Sequence, residues 1–354
     1  MQRWRKKVTS RKVTIKDVAR EAGVSISTVS NALNGVDVLH PFTKQHILEV
    51  AERLHYVPNL NGRNLKSQAT KVIGLFITCL TGSYHGMLAD SIYKCCQTYG
   101  YELNIFISDK VDNAMINLLG HRVDGAIIMN KFIKDREVKL LSENDIPVVF
   151  IDRKEKGKYL SSVVFDPYYE GELAGKYLLE LGHTTFAYIY GSGNSFDNIE
   201  RLKGFQDTLG KSGITLADDY ILQGKFEKNT AYHSVSEFIE SGKPLPEAIF
   251  ASNDLSAIGT IEAFLDKGIK VPDQVSIIGC DDIEISQLVR PSVTTIRTSF
   301  EEQGSLAVEY LMRLIKKEET GKVEVLQGRI IERESTCIKG GKTPMHKKHL
   351  QLNS

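Results

Sequence analysis

From Lys71 onward, short apolar runs alternate with helix-length amphipathic stretches, and no other property of this 354-residue chain narrows its fold so far. Val72–Ile77 and residues 103–107, 126–129 and 148–151 are short and rich in β-formers, and residues 85–99, 112–119 and 134–143 between them carry one apolar helical face. A second series follows, with apolar runs at Phe186–Tyr190, 249–251 and 275–278 and helical stretches at 168–181, 198–211, 230–239 and 254–267. Strands buried on both faces read as continuous apolar runs, and parallel strands need a long crossover, usually a helix. The pattern therefore predicts parallel sheets with helices on both faces. Two series predict two such subdomains.

The length suits two or three domains. Charge separates the first part from the rest: residues 1–66 hold 12 Lys+Arg against 5 Asp+Glu, whereas the remainder holds 33 against 39. A basic head on an acidic body predicts a polyanionic partner for the head alone. No run approaches the roughly 18 apolar residues that span a bilayer. The basic start, residues 1–12, has no apolar stretch behind it and so does not read as a signal peptide, which predicts a cytoplasmic, nucleoid-associated protein. Cys79, Cys95, Cys96, Cys280 and Cys337 show neither a C-x-x-C pair nor a His cluster, so buried free thiols are expected and no metal site.

The basic head has its own signature. Thr14 can cap a helix whose first turn holds Asp17, where the helix dipole favours a negative charge. Val18, Ala19 and Ala22 form an apolar stripe, and Gly23 provides a helix stop. Ser25 then caps a second helix with Val29 and Leu33 on its inner side. The spacing of Ala19, Gly23 and Val29 is that of a helix-turn-helix. Such a second helix enters the major groove with its amino-terminal residues, here presenting Ile26, Ser27, Thr28, Ser30 and Asn31. A third amphipathic helix over about 41–55, with Ile47, Leu48, Val50, Ala51 and Leu54 inward, closes the small core.

Residues 14–35, TIKDVAREAGVSISTVSNALNG, resemble the headpiece of the lactose-repressor (LacI/GalR) family. The likeness continues through Leu54-His55-Tyr56-Val57-Pro58-Asn59 and, more loosely, to about Arg333. By position, the resemblance implies that Ile26, Ser27 and Asn31 read bases, the Asn31 amide suiting an adenine edge and Ile26 a thymine methyl. It implies phosphate contacts for Thr14, Ser25, Thr28, Ser30, Asn34, Thr43, Tyr56 and Asn59, which set register and affinity rather than sequence preference. Asn59 to Lys66, NLNGRNLK, matches a hinge that becomes helical on operator DNA, and Leu65 matches the leucine that wedges into the minor groove. Gly62 stands where the family has alanine, which makes the helical hinge less favourable by about 1 kcal/mol.

The implied fold is an all-α helix-turn-helix headpiece plus an α/β core resembling periplasmic sugar-binding proteins, with two doubly wound parallel-sheet subdomains. The expected organisation is a headpiece over 1–58, a hinge over 59–70, a core over 71–339 crossed by the chain near 164, 297 and 327, and a basic tail over 340–354. In open α/β folds ligands sit beyond the carboxyl ends of the strands. Asp152-Arg153, Ser252-Asn253-Asp254 and Cys280-Asp281-Asp282 directly follow apolar runs, and Arg201 opens a helical stretch. Asp254 and Asp282 read as caps of the helices or turns they begin. The resemblance adds Tyr84, Phe250 and Phe300 as cleft-lining positions and marks Arg201 and Asp281 as ligand contacts. The expected effector ligands are thus Tyr84, Asp152, Arg153, Arg201, Phe250, Asn253, Asp281 and Phe300, suited to a sugar-like molecule.

The expected function is a sequence-specific regulator, a repressor, acting as a homodimer on double-stranded operator DNA under control of a small-molecule effector, without cofactor or membrane. A sugar-binding protein of the periplasmic type would explain the core but not the headpiece. Gly191-Ser192-Gly193-Asn194 lacks the third glycine of a dinucleotide fingerprint and the Lys-Ser/Thr of a P-loop. No catalytic constellation is visible, so enzymatic activity is not expected.

Overall fold

A computed structural model describes residues 13–33, 38–57, 69–80, 83–193 and 195–341. The chain divides into two compact units, Met1–Thr70 and Lys71–Ser354. In the first, α1 (Ile15–Glu21), α2 (Ile26–Leu33) and α3 (Pro41–Arg53) enclose a core that includes Val18, Ala19, Val29, Ala32, Ile47 and Val50. The turn between α1 and α2 works because Gly23 takes φ +66°, a conformation glycine adopts without steric cost. Ser25 accepts the Thr28 N–H at 3.1 Å and so caps α2. At the start of α1 the carboxylate of Asp17 accepts both the N–H and the hydroxyl of Thr14, at 2.9 and 2.7 Å. Thr14 and Asp17 thus close this end together as a reciprocal capping box. Leu48, expected inside, is exposed, because Ile47, Val50 and Ala51 already fill the stripe that α3 turns inward.

The second unit carries two six-stranded sheets. The first contains β1 (Val72–Ile77), β2 (Glu102–Ile107), β3 (Gly125–Met129), β4 (Val148–Phe150), β5 (Leu160–Phe165) and β11 (Val323–Leu326), in the order β11-β5-β4-β3-β1-β2 and parallel throughout. The second contains β6 (Phe186–Tyr190), β7 (Ile221–Gln223), β8 (Ala248–Ala251), β9 (Ser276–Asp281), β10 (Thr294–Arg297) and β12 (Arg329–Ile331), in the order β12-β10-β9-β8-β6-β7. Only its edge strand β12 runs antiparallel, because the chain leaves β10 for the first subdomain, adds the helix Phe300–Ile315 and β11 there, and re-enters the second sheet alongside β10 in the opposite direction.

Helices cover both faces of each sheet. α4 (Ser83–Thr98) and α12 (Phe300–Ile315) pack Leu88, Ile92, Val308 and Leu311 on one face of the first, and α5 (Val111–Leu119) and α6 (Asp135–Glu143) pack Leu118 and Leu141 on the other. On the second sheet, α7 (Pro167–Glu180) and α8 (Phe196–Lys211) bury Leu178 and Phe205, while α9 (Lys228–Glu240) and α10 (Asp254–Asp266) bury Val235 and Phe264. A single turn of helix, α11 (Ile285–Leu288), follows β9. The chain passes between the sheets after Phe165, after Arg297 and after Leu326. No described helix is long and apolar enough to cross a membrane.

Candidate functional site

Two glycines set the position of the main cation in the core. A Cβ on Gly171 would lie 2.0 Å from the Arg201 carbonyl oxygen, and one on Gly204 would lie 2.0 Å from that of Tyr168. Only glycine lets α7 and α8 approach this closely. The approach brings Glu170 and Arg201 together: Glu170 Oε2 accepts from Arg201 Nε at 2.9 Å and Nη2 at 2.6 Å, and the Ser252 carbonyl accepts from Nη1 at 2.9 Å. Both side chains are buried, Glu170 completely. Burial raises the Glu170 carboxyl above its ordinary range and Arg201 opposes the shift.

Beyond the carboxyl ends of the strands, carboxylates gather from both subdomains. Asp152 follows β4, Asp281 ends β9, and Asp197 lies in the first turn of α8. Burial pushes all three above the usual carboxylate range; Asp197 adds to the shift of both Asp152 and Asp281, so these groups lie within electrostatic reach across the subdomains. Asp197 remains open to solvent although protein surrounds it closely enough to desolvate it, the condition of a side chain on a cleft wall. Asp281 and Asp282 take φ of +123° and +60°, where non-glycine residues are strained. Asp282 does not cap a turn; it pairs with Arg297 Nε and Arg333 Nη2.

Asn253, not Asp254, caps the helix that follows β8. Asn253 caps α10, its Oδ1 accepting the Ser256 N–H at 2.9 Å, while its amide donates to the Phe226 carbonyl at 3.1 Å. Asp254 is fully buried and accepts from Ile283 N–H, Ser286 Oγ and Thr295 Oγ1 at 3.1, 2.6 and 2.5 Å. Burial pushes its carboxyl up to about 7 against those three donors.

The opposite wall is aromatic. The Tyr84 ring meets Phe300 edge-on at 4.7 Å, and Phe165 meets Phe300 at 5.9 Å. The Tyr84 hydroxyl donates to Gln303 Oε1 at 3.1 Å, and buried Gln303 donates to the carbonyls of Val163 and Ile151 at 2.9 and 3.3 Å. Burial raises the Tyr84 phenol well above its ordinary value, with Asp197, Asp152 and Asp281 adding to the shift. Arg153 pairs with Asp152 at 3.4 Å and gives its other nitrogens to the carbonyls of Asn130 and Ile133.

Phe250 does not face this cleft. It is fully buried, packed at 5.4 Å against both Tyr188 and Phe205, because strand alternation turns it into the sheet–helix layer. The aromatic the sequence reading missed is Phe226, after β7. It is half-buried at φ +61°, and its ring occupies the space where a Cβ on Gly191 would stand, 2.2 Å away. An aromatic residue alone in the polar loop Gly224-Lys225-Phe226-Glu227 was its only signal. Asp197 was missed because a first-turn acid is ordinary helix chemistry.

In the headpiece, α2 turns Val29 and Ala32 inward and leaves Ile26 and Ser27 exposed, with Thr28, Ser30 and Asn31 half-buried. The Ser25 hydroxyl lies 2.7 Å from those of Ser27 and Thr28. Thr14 and Ser25 are exposed, Thr43 and Tyr56 half-buried. Asn34, Asn59, Gly62 and Leu65 lie outside the described residues.

Comparison with known proteins agrees with both units. Residues 14–59 match the family of bacterial regulatory proteins of the lacI type, and residues 176–336 match a periplasmic binding protein-like domain. The chain is 32% identical to a probable HTH-type transcriptional repressor, ExuR, of Bacillus subtilis, over 89% of this chain and 95% of that protein. It is also 32% identical to catabolite control protein A of Priestia megaterium, over 92% and 99% of the two chains. The lac repressor dimer bound to operator and the anti-inducer ONPF superposes with a TM-score of 0.79 at 25% identity, over 92% of this chain and 100% of that one. The chain belongs to the LacI family. It is an effector-controlled, DNA-binding transcription regulator with a helix-turn-helix headpiece and a two-subdomain core.

Proposed function

We propose that this regulator is a repressor that occupies a near-palindromic operator as a homodimer and changes its affinity when a small hydroxylated molecule, a sugar or sugar derivative, enters the cleft between the two core subdomains. Its headpiece is residues 1–58, its hinge 59–70, its core 71–339 and its tail 340–354. Ile26, Ser27 and Asn31 read base edges. Thr14, Ser25, Thr28, Ser30, Asn34, Thr43, Tyr56 and Asn59 hold phosphates, and Leu65 enters the minor groove. Tyr84, Phe300 and Phe226 stack on the apolar face of the effector, and Asp152, Asp281 and the unfilled donors of Arg201 bind its hydroxyls. Such a protein acts in the cytoplasm, on the nucleoid, and no catalytic step is assigned to it.

The observation that carries this reading is a cleft whose polar groups come from two subdomains joined by three chain crossings. Only a ligand touching both walls favours one relative placement of the subdomains over another, and an effector shifts an equilibrium through such a difference. For the dimer, β2 is an edge strand whose Ile105 and Ile107, with Ile116 of α5, leave apolar surface exposed that a second copy can cover. Selection of operators from random duplexes tests the reading: a dyad-symmetric site is expected, and metabolites are then screened for a change in its affinity. Failure to enrich any dyad site removes the dimeric operator.

A further inference from the structure

Two cations stand at the cleft, and a carboxylate already matches the charge of each. Arg201 is nearly buried and is held by Glu170 and the Ser252 carbonyl. Arg153 is held by Asp152 and two backbone carbonyls. The carboxylates of Asp197 and Asp281, by contrast, make no hydrogen bond or ion pair with any described residue. Helix amino termini are ordinary seats for anions, since their N–H groups lack partners. Here the terminus of α8 already carries Asp197, and that of α10 is closed by the Asn253 side chain on the Ser256 N–H. A polar group remains for a ligand beside them: the Ser252 hydroxyl is fully buried and has no hydrogen-bond partner among the described residues, on the residue whose carbonyl Arg201 grips.

An anionic ligand would meet unpaired carboxylates, while the charges of Arg153 and Arg201, the described cations of the cleft, are already matched by Asp152 and Glu170. A ligand rich in hydroxyl or ammonium donors would supply the hydrogen bonds those carboxylates lack, which are stronger than bonds between neutral groups. We propose that Asp197 is a specificity-determining residue that shuts phosphate- and carboxylate-bearing molecules out of the cleft, so that the effector is a neutral polyol or an amino derivative of one. This rests on the cleft being the effector site. Asp197 acts by repulsion on both Asp152 and Asp281, so its carboxylate is felt at the acids of both walls.

The test uses the full-length chain and sets of sugars matched in ring and differing only in charge: each hexose, pentose, disaccharide or nucleoside beside its amino, phosphorylated and uronic counterparts. Thermal shift finds binders and calorimetry gives their affinities. Binding is expected only among neutral and amino members. Asp197→Asn should lower their affinity at least tenfold, and Asp197→Arg should move preference toward the phosphorylated member of the same set. A phosphorylated or uronic member that binds the parent as tightly as its neutral counterpart overturns the proposal. So does a ratio of neutral to anionic affinity that Asp197→Arg leaves unchanged. If no member of any charge binds, the cleft is not a sugar site, and the underlying reading fails with the inference.

Discussion

The headpiece and the core handle polar groups in opposite ways. Every buried residue described in the headpiece is apolar, and its candidate reading groups sit at the surface with few partners. The core buries Glu170, Arg201, Asp254 and Gln303, and these hold its cleft in shape. The difference teaches what each unit can tolerate. A reading face laid on a finished scaffold can change without loss of fold, whereas a cleft built from buried, partnered groups cannot be altered without cost to stability.

The strongest way to break this comparison is Arg201→Ala. It leaves Glu170 buried without its partner, and loss of one member of a buried pair costs roughly 3–5 kcal/mol. Denaturant unfolding of the core should show that loss, and operator affinity should no longer respond to effector. A double change, Glu170→Gln with Arg201→Met, should cost less than the single one. An unfolding midpoint equal to the parent's would show that the pair does not shape the cleft.

Next comes pH. Burial holds the folded Asp254 carboxyl at about 7, above its unfolded value near 4. Between those values the folded chain keeps a proton that the unfolded chain has lost. This residue therefore makes the core less stable as pH rises from about 4 to about 7, by at most about 1.4 kcal/mol per pH unit. Asp152, Glu170, Asp197 and Asp281 shift in the same direction, while buried His183 is lowered and acts oppositely. The informative quantity is thus the difference between parent and Asp254→Asn, whose amide can still accept from Ile283 and Ser286 and can donate to Thr295 Oγ1. The variant should flatten the slope, and an identical slope would mean that Asp254 is ionised in the fold.

Asn31→Ala sharpens the comparison from the other side. It should cost roughly 1–3 kcal/mol of operator affinity, concentrated at one base pair. Headpiece stability should stay within about 0.5 kcal/mol of the parent, as for an ordinary surface change. A comparable loss in unfolding free energy would show that the reading face is part of the scaffold after all.

The smallest expected effect is in the hinge. Gly62→Ala should tighten operator binding by up to about 1 kcal/mol if the segment becomes helical on DNA, and Leu65→Ala should weaken it. Operator titrations of both variants decide this; equal affinities in all three proteins would remove the wedge.

The sequence by itself determined the helix-turn-helix and the two alternating series of strands and helices. Both are written in spacings of a few residues: Gly23 at its turn, Ser25 at its cap, Val29 and Leu33 on one face, and apolar runs bounded by amphipathic helices. Local periodicity suffices there because each element's buried face is fixed by its own neighbours in the chain. Most of the cleft was decided only by tertiary structure. Glu170 lies 31 residues from Arg201, and Ser252 lies 51 from it, so nothing local tells which carboxylate neutralises that guanidinium. Phe250 was expected at the cleft by position in similar proteins, yet the pleat turns it into the core, while Phe226 lays its ring over Gly191 from a loop 35 residues further along the chain. Asn253 and Asp254 stand side by side at one helix start, but one caps the helix and the other is claimed by Ser286 and Thr295, 32 and 41 residues away. A side chain's role in a cleft follows from which partners reach it, and the chain specifies those partners only once it has folded.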